Sequence, residues 1–379
     1  MQTPYFLIDE EKIENNLRIL RGVMDRTGCK ILLAQKCFSC YSLYPLIGRY
    51  LAGATASGIF EARLCHEEMP GKENHIFSPA FREEDIDSIL SLCDHIVFNS
   101  PRQLQRYGER AKAEGLQVGI RINPECSTQE GHAIYDPCAP GSRLGTTSAE
   151  LHEYLAACRE KSCHTLIDGI HFHTLCEQNS DDLETTLDAV EEKFGDILSA
   201  MKWINFGGGH HITRSDYDIE RLERCILRMK QRYSLDVYVE PGEAVALNGG
   251  TLHATVLEIQ RPGADGISNV ILDTSAACHM PDVIEMPYTP PVLSPEQRDG
   301  GYTYRFGGAT CLSGDVIGTY SFCQPLTEGD EIVFGDMAIY SMVKTNTFNG
   351  MPLPDIYIKR NGKPVLWKHF SYSDFKARV

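Results

Sequence analysis

The stretch "LLAQKCFS" (residues 32–39) joins two properties that seldom occur together: an apolar run short enough for a strand covered on both faces, and a lysine just beyond it. Ile31–Ala34 predicts a buried strand, so Lys36 either marks where that strand reaches solvent or is kept for its chemistry. Lys30–Ala34 is the first of eight similar runs, followed by Ala54–Ala56, His75–Phe77, His95–Phe98, Val118–Ile122, Ile167–Phe172, Lys202–Phe206 and Asp236–Val239. Between them lie stretches with apolar residues near helical spacing, among them "YSLYPLIGRY", "EEDIDSILSL", "SPRQLQRYGERAKAEG", "TTLDAVEEKFGDILSAM" and "YDIERLERCILRMKQRY". Strands alternating with helices imply a parallel sheet with right-handed crossovers. Eight such units in about 220 residues fit an α/β fold of the (β/α)8 TIM-barrel type better than an open doubly wound sheet.

The texture changes after Gly242. "TLHATVLEIQR", "SNVILDT", "YTYRFGG", "EIVFGD" and "DIYIKR" read as strands separated by Gly and Pro turns, with no long helix between them. We therefore expect a barrel over residues 10–245 and a second, C-terminal all-β domain, a sandwich or small barrel, over 246–379. "PYFLID" near the start predicts that residues 1–9 join the sheet of that second domain.

Composition limits what the protein can do. Its 379 residues are 42% hydrophobic and 23% charged, which suits a globular chain with ample core. The formal net charge of -16 argues against a nucleic-acid partner, which needs a basic face, and is compatible with a cationic ligand. Fourteen scattered cysteines, with no signal peptide ahead of them, are expected to be free thiols in the cytoplasm. Cys37 and Cys40 form a C-x-x-C, but no second pair completes a structural zinc site. No apolar stretch approaches the roughly 18 residues of a membrane span, so a soluble protein is expected.

The polar residues at the predicted strand ends converge on one face. Lys36 follows strand one, His171 and His173 end strand six, Gly207, Gly208 and Gly209 follow strand seven, and Glu240 follows strand eight. In barrels the loops after strands seven and eight often hold a phosphate, because small residues let backbone N–H groups approach the anion. A lysine for a Schiff base, a phosphate cradle and a carboxylate to keep a pyridine nitrogen protonated together suggest pyridoxal 5'-phosphate. Taken singly, each reads as something plainer: a solvated lysine, a glycine turn, an ordinary strand exit, a core histidine. A zinc site of His171, His173 and Cys176 finds no convincing further ligand nearby.

Six motifs carry a resemblance to a known family: "AQKCFS", "GIHFHTLCEQ", "NFGGGHH", "EPGEA", "GATCLSGD" and "YSMVKTNTFNG". In their order and over nearly the whole chain, these resemble the fold-type III pyridoxal phosphate decarboxylases, which act on ornithine, arginine and diaminopimelate. "HFHTLCEQ", "EPGEA" and "HMPDVIEMPY" are most similar to the carboxynorspermidine (carboxyspermidine) decarboxylase branch. The resemblance implies Lys36 as the Schiff-base lysine, His173 as a ring-stacking histidine, Gly207–Gly209 as the phosphate loop and Glu240 as the partner of the ring nitrogen. It implies a homodimer with shared active sites, in which Cys311 and Asp315 reach the other chain's barrel while Tyr340 approaches the phosphate. Cys311 would return the proton to Cα. Arg121, in "IRINP", resembles a barrel position near the cofactor and reads equally as a structural ion-pair partner.

The departures from the family pattern bear on substrate. Ornithine and diaminopimelate decarboxylases usually follow "EPG" with arginine, where Glu243 stands here, so one phosphate contact must come from elsewhere. Glu285 replaces an arginine of the diaminopimelate enzymes, and Leu312 replaces a glutamate. The implied substrate is a cationic carboxypolyamine, met by Asp282, Glu285 and Asp315, although Asp282 and Glu285 read equally as helix or turn residues. Two alternatives stand beside decarboxylation to norspermidine or spermidine. One is a diaminopimelate or other basic amino-acid decarboxylase, and the other is a pyridoxal phosphate-binding protein without turnover.

Overall fold

The computed structural model describes residues 1–129, 136–160 and 166–379, and its contacts divide the chain into two units, Met1–Asn15 with Ala246–Val379 and Asn16–Val245. After β1 (Tyr5–Asp9) and α1 (Glu10–Thr27), the larger unit lays down eight parallel strands: β2 (Lys30–Ala34), β3 (Gly53–Ala56), β4 (Glu73–Phe77), β5 (His95–Phe98), β6 (Gln117–Arg121), β7 (Gly169–His171), β8 (Trp203–Asn205) and β9 (Asp236–Val239). Each pairs with the next, and β9 returns to β2 through Lys30↔Tyr238 and Ile31↔Val239 to close a barrel. β2, β5 and β9 have the ends that the sequence predicts. β7 and β8 are shorter than predicted, because their last apolar residues, Phe172 and Phe206, already belong to the loops at the mouth.

Helices fill the crossovers: α2 (Tyr44–Tyr50), α3 (Ile59–Glu68), α4 (Glu83–Leu92), α5 (Pro101–Ala113), α6 (Ser148–Glu160), α7 (Ser180–Leu198) and α8 (Ile219–Tyr233). Their limits follow from local chemistry. Ser100 accepts from the N–H of Gln103 ahead of Pro101, which starts α5, and Leu104, Tyr107, Gly108 and Ala111 bury one face at helical spacing. Asp218 caps α8 through the N–H of Arg221, Leu222, Cys225, Ile226 and Met229 face inward, and Ser234 in the left-handed region (φ 58°) ends it.

The floor of the barrel is a packed layer. The indole of Trp203 lies where any side chain at two neighbouring glycines would go: a Cβ on Gly169 would sit 2.1 Å from the ring and one on Gly119 2.3 Å. Leu32, Val97 and Tyr238 complete that cluster. Beside it, Lys30 Nζ donates to Glu73 Oε1 (2.6 Å) and to the Tyr238 hydroxyl (3.0 Å), while His75 Nε2 lies 3.0 Å from Glu73 Oε2 and stacks on His95 at 3.8 Å. Among the described residues Glu73, His75 and His95 are the one His/Cys/Asp/Glu group close enough to share a metal ion. Parallel stacked imidazoles cannot both aim in-plane lone pairs at one ion, and Lys30 already neutralises Glu73. The group therefore reads as a structural layer.

The second unit is one nine-stranded mixed sheet. It contains β1, β10 (Gly250–Ile259), β11 (Ser268–Leu272), β12 (Val292–Ser294), β13 (Gln297–Gly307), β14 (Val316–Phe322), β15 (Glu331–Phe334), β16 (Asp355–Arg360) and β17 (Lys363–Lys368). Strand order is β14-β13-β11-β10-β1-β16-β17, with β15 pairing to both β10 and β12. β1 sits inside it, antiparallel to β10 (Tyr5↔His253) and parallel to β16 (Tyr5↔Asp355). Alternate residues of β10, Leu252, Ala254 and Val256, are buried, and Phe306, Tyr320, Phe322 and Phe334 stack into an aromatic core.

Because Trp203 occupies the space above Gly169, Gly169→Ala is expected to lower the thermal unfolding midpoint by several degrees, consistent with an overpacking cost of about 1–3 kcal/mol. The loss should be smaller when alanine is placed in a Trp203→Leu background. A midpoint equal to wild type in the single variant would refute this packing.

Candidate active site

The turn after β2 aims Lys36 at the mouth of the barrel. The N–H of Gln35 donates to the carbonyl of Thr55 (3.2 Å) and that of Cys37 to Ala34 (3.1 Å), so the residues flanking Lys36 are buried and fixed. Tyr44 adds a hydroxyl bond to Gln35 Oε1 (3.0 Å). Lys36 itself enters a cavity of about 280 Å³ walled by Thr55, Ser57, Phe77, Arg121, Arg143, His171, His173 and Glu240. Solvent reaches it through the open mouth. The surrounding protein, and then the guanidinium of Arg121, still lower the lysine pKa and favour the neutral, nucleophilic amine.

Glu240 is the carboxylate in that wall, and it is buried. Asn205 Nδ2 donates to its Oε1 (2.7 Å), and His171 Nε2 lies 3.4 Å from its Oε2. Burial alone would raise the pKa of Glu240. Its contacts with His171 and Asn205 outweigh burial and hold it below the usual carboxylate range. His171, fully enclosed, is itself lowered by burial, against the opposing hydrogen bond and charge of Glu240.

His173 is fixed by the glycine loop. The N–H of Gly208 donates to His173 Nδ1 (3.0 Å), which places the imidazole proton on Nε2. Burial, followed by the charges of Lys36 and Arg121, pushes the ring well below its ordinary pKa. Arg121 donates to the carbonyl of His173 (3.2 Å), and its guanidinium lies 4.6 Å from the centre of the Phe77 ring. Among the described residues it makes no ion pair.

The glycines are required by backbone approach. Gly207 (φ 69°) and Gly209 (φ 83°) are left-handed, and a Cβ would fall 2.3 Å from the carbonyl of Phe172 in one case and 2.1 Å from that of Leu175 in the other. Asn205 Oδ1 takes the N–H of Gly207 (2.9 Å), and His173 takes that of Gly208. The next two N–H groups of this loop, on Gly209 and His210, make no hydrogen bond among the described residues, nor do those of Gly242 and Glu243 on the loop after β9. The Glu240 N–H donates to the Gly207 carbonyl (2.8 Å) and ties the two loops together. Two linked loops with unsatisfied N–H donors are the chemistry of an anion cradle. With Lys36 and Glu240 across the mouth, the residues present fit pyridoxal phosphate. The sequence reading missed Asn205, a polar residue ending a buried strand, and Arg143, whose loop position carries no signal.

The remaining predicted residues lie in the second unit. Lys344 Nζ binds both Asp282 and Glu285 (2.6 Å to the latter) and stands 5.9 Å from the Tyr340 ring, and Tyr340 is itself left-handed (φ 54°). Asp315 is buried and accepts from Ser275 Oγ (2.9 Å), Thr310 Oγ1 (2.6 Å) and the Ala277 N–H (3.2 Å), so its carboxylate is committed to its own loop. Cys311, in the same loop, is exposed, with its N–H held by Asn349 Oδ1 (2.8 Å). A second cavity, of about 390 Å³, is lined by Met351, Leu353, Phe370, Tyr372 and Phe375 among others, and no lysine, arginine or histidine is among its lining residues.

Borohydride reduction with pyridoxal phosphate should leave the label on the peptide containing Lys36, and Lys36→Ala should not be trapped there. Asn205→Ala should weaken cofactor binding roughly tenfold by removing two of these hydrogen bonds. A label on another lysine would overturn the assignment.

A family model described as "Pyridoxal-dependent decarboxylase, C-terminal sheet domain" matches residues 23–338. The chain is 39% identical over its full length to carboxynorspermidine/carboxyspermidine decarboxylase of Campylobacter jejuni, covering 98% of that protein. It is 40% identical, again over its full length, to carboxyaminopropylagmatine decarboxylase of Synechocystis, covering 96% of it. The crystal structure of C. jejuni carboxynorspermidine decarboxylase complexed with norspermidine superposes with a TM-score of 0.88 at 38% identity, over all of both chains. On these full-length matches, the chain belongs to the pyridoxal-dependent decarboxylases.

Proposed function

We propose that this decarboxylase converts carboxynorspermidine and carboxyspermidine to norspermidine and spermidine in polyamine biosynthesis. What carries the reading is the barrel mouth, with Lys36, Glu240 and two N–H-lined loops, in a chain matched end to end by the C. jejuni enzyme. When bound, pyridoxal phosphate supplies the electron sink that loss of an α-carboxylate requires. The protein does the rest. Lys36 Nζ tethers the cofactor, and its lowered pKa makes the free amine available for that bond. Glu240 keeps a proton on the ring nitrogen, and neutral His173 offers an uncharged ring face. Arg121 braces His173 through its carbonyl, and the free N–H groups at Gly209 and Gly242 receive the phosphate with Gly207 and Gly208 shaping the loop.

The second unit would act on the other chain of a homodimer. Exposed Cys311 is the thiol we assign to return a proton to Cα, and Tyr340 is assigned to the phosphate. Asp315, already holding three donors, is better suited to fixing the Cys311 loop than to binding substrate. Asp282 and Glu285, both held by Lys344, are the carboxylates we assign to an ammonium of the polyamine tail. We place the reaction in the cytoplasm, a reading supported by thirteen described cysteines that are all free thiols. Among the described residues no helix is long and apolar enough to cross a membrane. The 40% identity to the Synechocystis enzyme favours a second reading, with carboxyaminopropylagmatine as substrate. The diaminopimelate reading has weaker support, a relative at 20% identity.

Carbon dioxide release from carboxynorspermidine, carboxyspermidine, carboxyaminopropylagmatine, diaminopimelate and ornithine separates these readings. The first two should give the highest kcat/KM; a preference for carboxyaminopropylagmatine would install the second reading, and one for diaminopimelate would reject both. Assembly has its own check. Mixing Lys36→Ala with Cys311→Ala protein, each nearly inactive, should restore about a quarter of wild-type activity once subunits exchange, since half of the dimers then hold one intact site. Exchange without recovery would reject the shared site.

A further inference from the structure

Glu243 is an awkward residue for an anion cradle. It follows directly on Gly242, beside N–H groups free to receive a phosphate, and its side chain is buried. An uncompensated carboxylate there would repel a phosphate dianion. The structure shows the compensation: Glu243 Oε2 lies 2.8 Å from Nε2 of His211, two residues beyond Gly209 on the other loop of the cradle. Thr213 Oγ1 adds a bond to the Ala244 carbonyl (2.8 Å), so the two loops are clasped here as well as at Gly207 and Glu240. The other nitrogen of His211, Nδ1, is buried and has no hydrogen-bond partner among the described residues. With Nε2 turned to Glu243, a second proton on the ring would make Nδ1 a buried N–H donor, which a phosphate oxygen would satisfy.

We infer that His211, braced by Glu243, is the cationic contact for the cofactor phosphate in this chain. This rests on the pyridoxal phosphate site argued above. Glu243 holds the proton at Nε2 of the imidazolium, which leaves Nδ1–H as a charged donor toward the cradle. Burial opposes that charge; the hydrogen bond and charge of Glu243 outweigh it and, with Glu177, raise the His211 pKa, against the opposing charge of Arg214. The other titratable neighbours are His210, pushed down by burial to about 4 and hence neutral, and Asp216. The sign follows from the raised value. The charge on His211, and any affinity it lends, is complete below the ordinary imidazole pKa of 6.5 and is lost as pH rises through the raised one.

The test compares pyridoxal phosphate with pyridoxal, which lacks the phosphate, by equilibrium dialysis against the full-length apoenzyme. Their affinity ratio isolates the phosphate contacts, because the tether to Lys36 and the partner of the ring nitrogen are common to both. Above pH 7 the phosphate itself is essentially a dianion, so the remaining pH dependence of the ratio belongs to the protein. His211→Gln should lower the ratio about ten- to a hundredfold by weakening pyridoxal phosphate alone. In Glu243→Gln the phosphate advantage should fade at lower pH than in wild type, a shift that a merely structural pair would not produce. An unchanged ratio in His211→Gln, or equal weakening of both ligands, overturns the inference. Should that variant fail to fold, the Glu243→Gln profile decides, and an unshifted profile overturns it. Wild-type protein that binds both ligands equally would instead remove the pyridoxal phosphate reading on which this stands.

Discussion

A buried carboxylate must be satisfied or it will not stay charged, and the mouth of this barrel is organised around satisfying Glu240. His171 shares this work with Asn205. Having donated Nδ2 to Glu240, Asn205 accepts the Gly207 N–H at Oδ1 and thereby starts the glycine turn. The turn delivers the Gly208 N–H to His173, and the carbonyl of His173 receives Arg121. One continuous chain of hydrogen bonds thus runs through the ends of β6, β7, β8 and β9. Its members cannot be repositioned singly, which is how loops at a barrel rim can hold chemical groups with the accuracy of a core.

Much of this was legible in the sequence. A fully buried parallel strand is a short apolar run, and eight of them at regular spacing leave few other folds. What failed to show did so for physical reasons. α3 buries only Ala62 and Cys65, and α6 only Leu151, Tyr154 and Cys158, so neither carries a broad apolar stripe. β14 is interrupted by Gly318, where a Cβ would meet Thr289, a neighbour distant in sequence. β17, largely exposed, lacks alternation because it has little to bury.

The site divides in the same way. Lys36, His173 and Glu240 line one cavity because each is a polar residue where a strand ends, and position alone brings such ends together. Asn205 was hidden inside the run read as a strand. For Asp315 the acidity was plain, but Ser275 and Thr310, which donate to its carboxylate, are 40 and 5 residues away. Charge is written locally, whereas the donors that consume it are assembled by the fold. Glu243 shows the same limit from the other side, because an acid that looks misplaced in the sequence is answered by a histidine 32 residues earlier.

The placement of β1 has a consequence for how the chain is made. Tyr5–Asp9 is synthesised before the barrel strands, yet the strands on its two sides, β10 and β16, are synthesised only after them. For most of translation this segment offers two unpaired edges and apolar side chains, Phe6 and Ile8, that will end fully buried. Its sheet is closed by the last third of the chain, so a nascent polypeptide arrested before residue 355 can own a complete barrel and still present an open strand to its neighbours. The order of synthesis makes β1 wait for partners translated long after it.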